Sequence, residues 1–147
     1  MYAYELTTYL FPDVPDEICA TAVWGETGVD MTDHVLLRLG GTLASLTTSF
    51  AAPMDNHLRI YGTKGSILVT NPHFSDEAFL YEGSDVPTTH FRDTETLNGF
   101  VYEIQETIRC IQQGLLESPV VPHRDTLACA RLFDQIERTK PAWFSAE

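Results

Sequence analysis

The sequence predicts an α+β fold: a largely antiparallel, open-faced β-sheet of about six or more strands, with helices packed on one face. Two observations support this. Apolar and polar residues alternate in short segments separated by glycine-containing turns, which is typical of strands joined by hairpins. In the last third of the chain, apolar residues instead recur every three or four positions, as on one face of a helix. The 147 residues are expected to form a single domain, over 1–147.

A short helix is predicted first, over residues 1–11, and Pro12 and Pro15 end it. Within it, Tyr2, Leu6, Tyr9 and Leu10 lie close to helical spacing, which indicates the helix. Strands follow, each marked by alternation, over 17–24, 33–39, 42–50, 56–61 and 66–70, with shorter ones over 78–81 and 88–91.

The connections between these strands carry turn residues. Gly40-Gly41 is a strong signal for a two-residue hairpin, and a second turn is expected at the segment Gly62-Thr63-Lys64-Gly65. Lys64 is expected to be a solvated turn residue. The strands are therefore expected to pair with their neighbours in sequence, which gives an antiparallel or mixed sheet.

Two helices are predicted after the strands. The first carries an apolar stripe formed by Phe100, Ile104, Ile108 and Ile111, and Gly114 is a suitable stop. The second carries a stripe formed by Cys129, Leu132, Phe133 and Ile136. Asp125 or Thr126 is expected to cap its start.

These helices can cover only one face of the sheet, so its other face is left to be explained. That face is half polar, and the alternation places on it Thr21, His34, Arg38, Ser45, Thr47, Ser49, His57, Arg59 and Tyr61. Three interpretations stay open: the face is solvated, it packs on a partner sheet, or it lines a substrate cleft.

The composition excludes some partners. The formal net charge of −12 argues against nucleic acid and against an anionic membrane surface, since both need a clustered positive surface. The three cysteines, at 19, 110 and 129, form no CxxC pair and indicate reduced thiols in a cytoplasmic protein. No apolar run approaches the roughly 20 residues that a membrane-spanning helix needs. The start of the chain has no basic segment typical of a signal peptide.

The five histidines do not indicate a metal site. They stand at positions 34, 57, 73, 90 and 123, and no two form an HxH or HxxxH pair. None has a cysteine or carboxylate at a recognised ligand spacing. We therefore predict strand or loop histidines, and no metal.

Three segments together resemble a known family. They are TTYLFPDVPDEICATA, SLTTSFAAPMDNHLRIYGTKGSILV and NGFVYEIQETIRCIQQGLLESPVVPHRDTLACARLFDQI. They are similar to the C-terminal domain of the Gfo/Idh/MocA oxidoreductases, in the branch of dihydrodiol dehydrogenase, D-xylose dehydrogenase and glucose–fructose oxidoreductase. The similarity runs from about Tyr2 to Ile136, and its most specific block is IYGTKGSI at Ile60 to Ile67.

The resemblance implies how such a chain takes part in catalysis. In that family an N-terminal Rossmann domain binds NAD or NADP, and the domain resembled here supplies part of the substrate pocket and the dimer interface. These 147 residues contain no GxGxxG segment and no EKP-type segment with the family's lysine. We therefore expect a missing Rossmann domain, no cofactor binding by this chain alone, and a homodimer through the open sheet face.

The resemblance also implies one catalytic residue. The family branch carries a DxGxY-type segment whose tyrosine is proposed to exchange a proton with the substrate hydroxyl, beside the lysine. Tyr2 stands where that tyrosine falls. The chemistry is reasonable, because hydride transfer from a carbinol requires removal of the hydroxyl proton. The competing interpretation is that Tyr2 packs against the sheet.

Substrate contacts are expected at His73 and Phe74, in a loop where members of the family contact substrate. The expected substrate is a sugar, a polyol or a similar hydroxy compound. The alternative function is a non-enzymatic module from a truncated gene, which dimerises or binds a small ligand without redox chemistry. The sequence does not decide between NAD and NADP.

Overall fold

The structure is a computed structural model that describes residues 2–12 and 15–142. Within these ranges the chain forms three helices and seven strands, and the predicted α+β class is confirmed. In chain order the elements are α1 (Tyr2–Leu10), β1 (Glu17–Trp24), β2 (Asp30–Leu39), β3 (Thr42–Ser49), β4 (His57–Gly62), β5 (Gly65–Thr70), β6 (Glu77–Tyr81), β7 (Thr89–Arg92), α2 (Phe100–Gln112) and α3 (His123–Glu137).

The strands pair antiparallel with their neighbours in sequence, as predicted, but they lie in two hydrogen-bonded sheets. One sheet has the order β1-β2-β3 and the other the order β4-β5-β6-β7. The chain accordingly divides into two compact units. The first unit comprises Met1–Pro53 and Glu117–Glu147, and the second comprises Met54–Leu116. Each unit is described by itself below.

The first unit is built around a buried core between its sheet and two helices. Strand β2 contributes Val35, Leu37 and Leu39, which are at most 4% exposed. The register places Leu37 opposite Ile18 of β1 and opposite Ala44 of β3. Helices α1 and α3 cover this face, and α3 adds the core residues Cys129, Leu132 and Ile136. Because each fully buried leucine contributes about 1.5–3 kcal/mol, this cluster accounts for much of the unit's stability.

Helix α1 forms where the sequence predicts a helix. Its buried residues are Tyr4 and Thr7, whereas Tyr2, Tyr9 and Leu10 are exposed. The buried row continues to the partly buried Phe11 and has helical spacing, with intervals of three and four residues. Thr7 is buried at little cost, since its hydroxyl donates a hydrogen bond to the backbone oxygen of Ala3 at 2.7 Å.

Helix α3 begins three residues earlier than the first of the two predicted caps allows. Its N-cap is Pro122 in an extended conformation, without a side-chain hydrogen bond, so the prediction of Asp125 or Thr126 as cap was wrong. The first free backbone N–H, that of His123, is instead bound by the carboxylate of Glu117. A carboxylate is favourable there because it also interacts with the positive end of the helix dipole.

The second unit has a complete hydrogen-bonded sheet but no buried core. The register places Leu58, Ile60, Ile67, Val69, Ala78 and Leu80 on one face, and none of them is buried. Gly65 begins β5 at a point of close approach, where a Cβ atom would lie 2.1 Å from the backbone oxygen of Tyr81. Only glycine fits at this position without a shift of the backbone.

Helix α2, which belongs to the second unit, also leaves its apolar stripe uncovered. Phe100, Ile104, Ile108 and Ile111 are between 48% and 73% exposed, and no residue of the helix is buried. The opposite side carries an ion pair of Glu106 and Arg109, at 2.7 Å. The amphipathic pattern thus predicts the helix correctly. The apolar face of such a helix is usually buried, but in this structure that of α2 is exposed.

Candidate functional site

Tyr2 lies in the first turn of α1, in the first unit. Its side chain is 65% exposed, whereas Tyr4, two residues on, is 3% exposed. The two tyrosines therefore differ in environment: burial raises the pKa of Tyr4, and the charges of Cys129 and Asp125 raise it further. Of the two, only the Tyr2 side chain is largely exposed to solvent.

His73 and Phe74 lie in the loop after β5, in the second unit. The loop turns at Asn71, the one described non-glycine residue with a positive φ, of 49°. Asn56, the residue before β4, fixes it: its amide donates to the Asn71 side-chain oxygen at 3.0 Å, and its Nδ2 lies 3.1 Å from His73 Nδ1. The Phe74 ring is 80% exposed. His73 is thus held in place by a hydrogen bond, while the apolar ring of Phe74 is exposed to solvent.

A second polar feature of the same unit is an open cleft of about 390 Å³ on one face of the four-stranded sheet. At its centre, the Arg59 guanidinium stacks on two rings, 4.9 Å from the centroid of Tyr81 and 5.4 Å from that of Tyr61. It also donates a hydrogen bond to Ser66 Oγ at 3.2 Å. The remaining lining residues come from two turns: Gly62, Gly65, Gly83, Ser84 and Asp85.

The same sheet face carries a second aromatic and charged cluster, on β6 and β7. The Phe79 and His90 rings stack with centroids 4.5 Å apart. The Glu77 carboxylate lies 3.6 Å from His90 Nε2 and 3.4 Å from Arg92 Nε. The charge of Arg92 is therefore compensated within the sheet, in contrast to that of Arg59.

In the first unit, the core face of the sheet ends in a polar group. Asp33 stands opposite Ala22 and Thr48. Its pKa is raised to about 6, first by burial and then by its neighbour Asp30, through a hydrogen bond and through the charge of that residue. Within the described part of the chain, Asp33 Oδ1 and Trp24 Nε1 are buried without a hydrogen-bond partner. Buried polar atoms of this kind cost free energy, so Asp33 weakens this end of the core near neutral pH.

The outer face of the three-stranded sheet is open and partly apolar. Leu43 is 80% exposed, Val23 64% and Leu36 47%. Polar pairs lie among them: His34 Nδ1 is 2.8 Å from Thr47 Oγ1, and Arg38 donates to Glu17 at 2.6 Å. This face therefore carries exposed apolar side chains between pairs of hydrogen-bonded polar groups.

In the part of the chain that the structure describes, no three His, Cys, Asp or Glu side chains come together in a group able to hold a metal ion. Over residues 2–12 and 15–142, no helix combines the length and apolar character needed to cross a membrane.

The fold recurs in solved oxidoreductases. An aldose-aldose oxidoreductase from Caulobacter crescentus, solved with glycerol, superposes with a TM-score of 0.76 over 94% of this chain and 42% of its own, at 19% identity. A UDP-N-acetylglucosamine 3-dehydrogenase from Acidithiobacillus ferrooxidans gives a TM-score of 0.72 over 92% of this chain and 44% of its own, at 18% identity. The architecture is thus that of a domain found in sugar-converting oxidoreductases, and at these identities the likeness concerns the fold alone.

The particular family follows from the sequence. Residues 1–68 match the model of the GFO/IDH/MocA C-terminal domain. Trans-1,2-dihydrobenzene-1,2-diol dehydrogenase from Bos taurus is 31% identical over 84% of this chain and 39% of its own length, and that from Danio rerio is 33% identical over the same shares. The chain is thus a relative of the Gfo/Idh/MocA C-terminal domain, and the predicted resemblance is confirmed. It spans about two fifths of the length of these relatives.

The sequence analysis missed the contacts that define the Arg59 cleft. Alternation places Arg59 and Tyr61 on one face, but Ser66 and Tyr81 join them only through the pairing of Tyr61 with Ser66 and of Ser66 with Tyr81. The turn at 62–65 allows the first pairing to be inferred. The second depends on the β5–β6 register, which a six-residue connection does not determine.

Proposed function

We propose that this chain is the substrate-binding and dimerisation domain of an NAD(P)-dependent oxidoreductase acting on a sugar, a polyol or a similar hydroxy compound. The observation that carries the proposal is the match of residues 1–68 to the GFO/IDH/MocA C-terminal domain. Relatives named as a dihydrodiol dehydrogenase and fold neighbours named as sugar oxidoreductases support it.

In this proposal Tyr2 takes up the proton of the substrate hydroxyl. NAD or NADP would bind outside these 147 residues, which have no strand–GxGxxG–helix segment, and would supply the hydride acceptor. The lysine of the family would also come from outside these residues and work beside Tyr2. The exposure of Tyr2 on α1 supports this role, because a tyrosine packed into the core cannot reach a substrate. His73 and Phe74 contact the substrate.

A matched pair of tyrosines tests this role. Tyr2 and Tyr9 lie on the same helix and are 65% and 66% exposed. In the natural polypeptide that carries this sequence, Tyr2→Phe is expected to lower kcat for oxidation of polyols and dihydrodiols by about 100-fold, whereas Tyr9→Phe leaves it within about twofold. Equal activities of the two variants would remove Tyr2 from the mechanism. No turnover by the unmodified polypeptide would favour the non-enzymatic module instead.

The proposed dimer forms through the outer face of the three-stranded sheet. Its support is the exposure of Leu43, Val23 and Leu36 on a sheet face that no helix of the first unit covers. An exposed sheet face with apolar side chains is stabilised when a second copy covers it. The proposal places this dimer in the cytoplasm, which suits the three cysteines and the absence of a CxxC pair.

Light scattering after size exclusion tests the dimer. The unmodified chain is expected at twice the 16.5 kDa of one copy. Leu43→Arg places a charge at the centre of the contact and is expected to give the monomer mass. The matched control is Leu116→Arg, since Leu116 is 97% exposed in the second unit. A dimer that survives Leu43→Arg places the contact on another surface.

A further inference from the structure

The Arg59 cleft has a use that the proposed oxidoreductase function does not require. In the four-stranded sheet, Arg92 is compensated by Glu77 and Asp76. None of the ion pairs formed by the described residues involves Arg59, although the chain carries an excess of 12 negative charges. A guanidinium that forms no ion pair in so acidic a protein is available to an external anion.

The contacts around Arg59 fix the orientation of this charge. Tyr61 and Tyr81 hold its flat face, and Ser66 Oγ accepts one of its five N–H groups. The other donors stay in the plane of the guanidinium, where two parallel hydrogen bonds to a carboxylate form best. Because the side chain is already ordered, a ligand loses little of its binding free energy to immobilising it.

The shape of the cleft suits a small molecule rather than a bare ion. Its volume of about 390 Å³ falls in the range typical of small-ligand sites. Gly62, Gly65 and Gly83 line it without side chains, so a ligand can approach the backbone of both turns. At Gly65 the absence of a side chain is enforced by the 2.1 Å approach to the Tyr81 backbone oxygen.

Asp85 limits the charge and polarity of the ligand. It lines the same cleft as Arg59 without forming an ion pair with it. A second negative charge on the ligand would be repelled by this carboxylate, whereas a hydroxyl group would donate a hydrogen bond to it. The best complement is one carboxylate for Arg59 together with hydroxyl groups for Asp85.

From these contacts we propose that the Arg59 cleft binds a polyhydroxylated monocarboxylate, such as a sugar acid. The carboxylate accepts hydrogen bonds from the Arg59 guanidinium, and the hydroxyl groups meet Asp85 and the backbone of the glycine turns. The site lies within the second unit and does not depend on whether Tyr2 takes part in catalysis.

The experiment titrates gluconate into the ¹⁵N-labelled chain and follows the amide signals of residues 62–66 and 83–85. Saturable shifts confined to these amides are expected with gluconate. Neutral glucose and inorganic phosphate are expected to bind at least about tenfold more weakly, since one lacks the charge and the other carries too much of it at pH 8. Glucose or phosphate binding as tightly as gluconate would overturn the proposal.

Substitutions then test the assigned residues. Arg59→Gln is expected to weaken gluconate binding by about tenfold or more, and Arg59→Lys by a smaller factor, because lysine keeps the charge without the planar fork. Asp85→Asn is expected to reduce the difference in affinity between gluconate and phosphate, because the repulsion of the second negative charge on phosphate is removed. The control is Arg124→Gln, which removes an exposed arginine of α3 paired with Asp125. If Arg59→Gln binds like the unmodified chain while its spectrum stays dispersed, the proposal is wrong. Equal losses in Arg59→Gln and Arg124→Gln contradict it as well, since they indicate a general charge effect.

Discussion

The two units of this chain differ in whether their sheet is covered by a second layer that forms a buried core. In the part of the chain that the structure describes, every fully buried residue belongs to the first unit, where two helices close over one face of a sheet. The second unit has a longer series of hairpins but leaves both its sheet and its amphipathic helix open. A hydrogen-bonded sheet therefore does not by itself provide a core, which requires a second layer over its apolar face.

The difference also separates two kinds of surface. The first unit positions Tyr2 on a helix whose other side is anchored in the core by Tyr4. The second unit holds the groups that we propose to contact ligands through local contacts, such as the Asn56–Asn71 hydrogen bond and the Arg59–Tyr81 stack. A firmly packed element suits proton transfer, which depends on fixed geometry. Loops on a loosely packed sheet suit ligand binding with some adjustment.

The largest expected effect comes from removing the centre of the first core. Leu37→Ala, at a residue 1% exposed, is expected to lower the free energy of unfolding by about 2–5 kcal/mol. Ile67→Ala in the second sheet, at a residue 39% exposed, is expected to cost less than about 1 kcal/mol. Urea titrations of both variants give the comparison, and equal losses would contradict the assignment of a core to one unit only.

Amide hydrogen exchange makes the same comparison without a substitution. The amides of β2, in the centre of the first sheet, are expected to exchange only on global unfolding. Those of β5, in the second sheet, are expected to exchange about 100-fold faster through local opening, although both strands have two hydrogen-bonded neighbours. Similar protection of the two central strands would show that the second unit is covered in solution.

Substitutions of two glycines compare how closely the backbone is packed at a turn in each sheet. Gly65→Ala is expected to destabilise the β5–β6 pairing by about 1–3 kcal/mol, because its Cβ atom would lie 2.1 Å from the Tyr81 oxygen. Gly41→Ala, in the β2–β3 turn, has nothing within 4 Å of the added atom and is expected to change stability by less than about 0.5 kcal/mol. Thermal unfolding measures both. If Gly65→Ala left the thermal stability unchanged, the backbone of the second sheet would have to shift at little cost to accommodate the added atom.

The pH dependence of stability is expected to have opposite signs in the two units. Asp33 has a pKa raised to about 6, above its unfolded value, so the folded state binds its proton more tightly. Its stabilising contribution is present below about pH 4 and is lost as the pH rises through about 6. Asp33→Asn should remove this decline and stabilise the first unit at pH 7. A decline that persists in this variant would assign the titration to another group.

In the second unit, Asp93 behaves in the reverse way. Hydrogen bonds from the Thr96 side chain and from the backbone amides of Glu95 and Thr96 hold its pKa below its usual range. The folded state therefore favours its ionised form, and stability is lost as the pH falls through this lowered pKa. Asp93→Asn is expected to weaken the second unit slightly at pH 7, because the native hydrogen bonds favour the ionised carboxylate. Amide signals of each unit, followed between pH 3 and 8, separate the two effects.

Local patterns predict the strands well and the burial less well. The run Val35, Leu37, Leu39 and the Gly40-Gly41 turn predict β2, β3 and their pairing, because register within a hairpin depends on neighbouring residues. The buried face of α1 is not predictable in this way, since two rows of its residues have helical spacing and the contact with β3 selects one. The start of α3 depends on Glu117, six residues before the amide that it binds.

The candidate sites also differ in how far the sequence predicts them. Tyr2, His73 and Phe74 follow from the family resemblance, and their roles stay predictions. Arg59 and Tyr61 are visible in the alternation of β4, whereas Ser66, Tyr81 and Asp85 reach the same cleft only through the pairing of β5 with β6 and the turn that follows it. Asp33 lies in a strand pattern that predicts burial but gives no sign of Asp30 as its partner.

The central claim is that this chain serves the substrate side of an oxidoreductase and that the nicotinamide cofactor binds elsewhere. Titration of NADH and NADPH into the purified 147-residue chain, followed by nucleotide and tryptophan fluorescence, tests it most directly. The account predicts no saturable change up to millimolar nucleotide, with the chain folded as judged by its amide spectrum. Saturable binding with a micromolar Kd would contradict it, since these residues would then hold the cofactor without a phosphate-binding glycine loop.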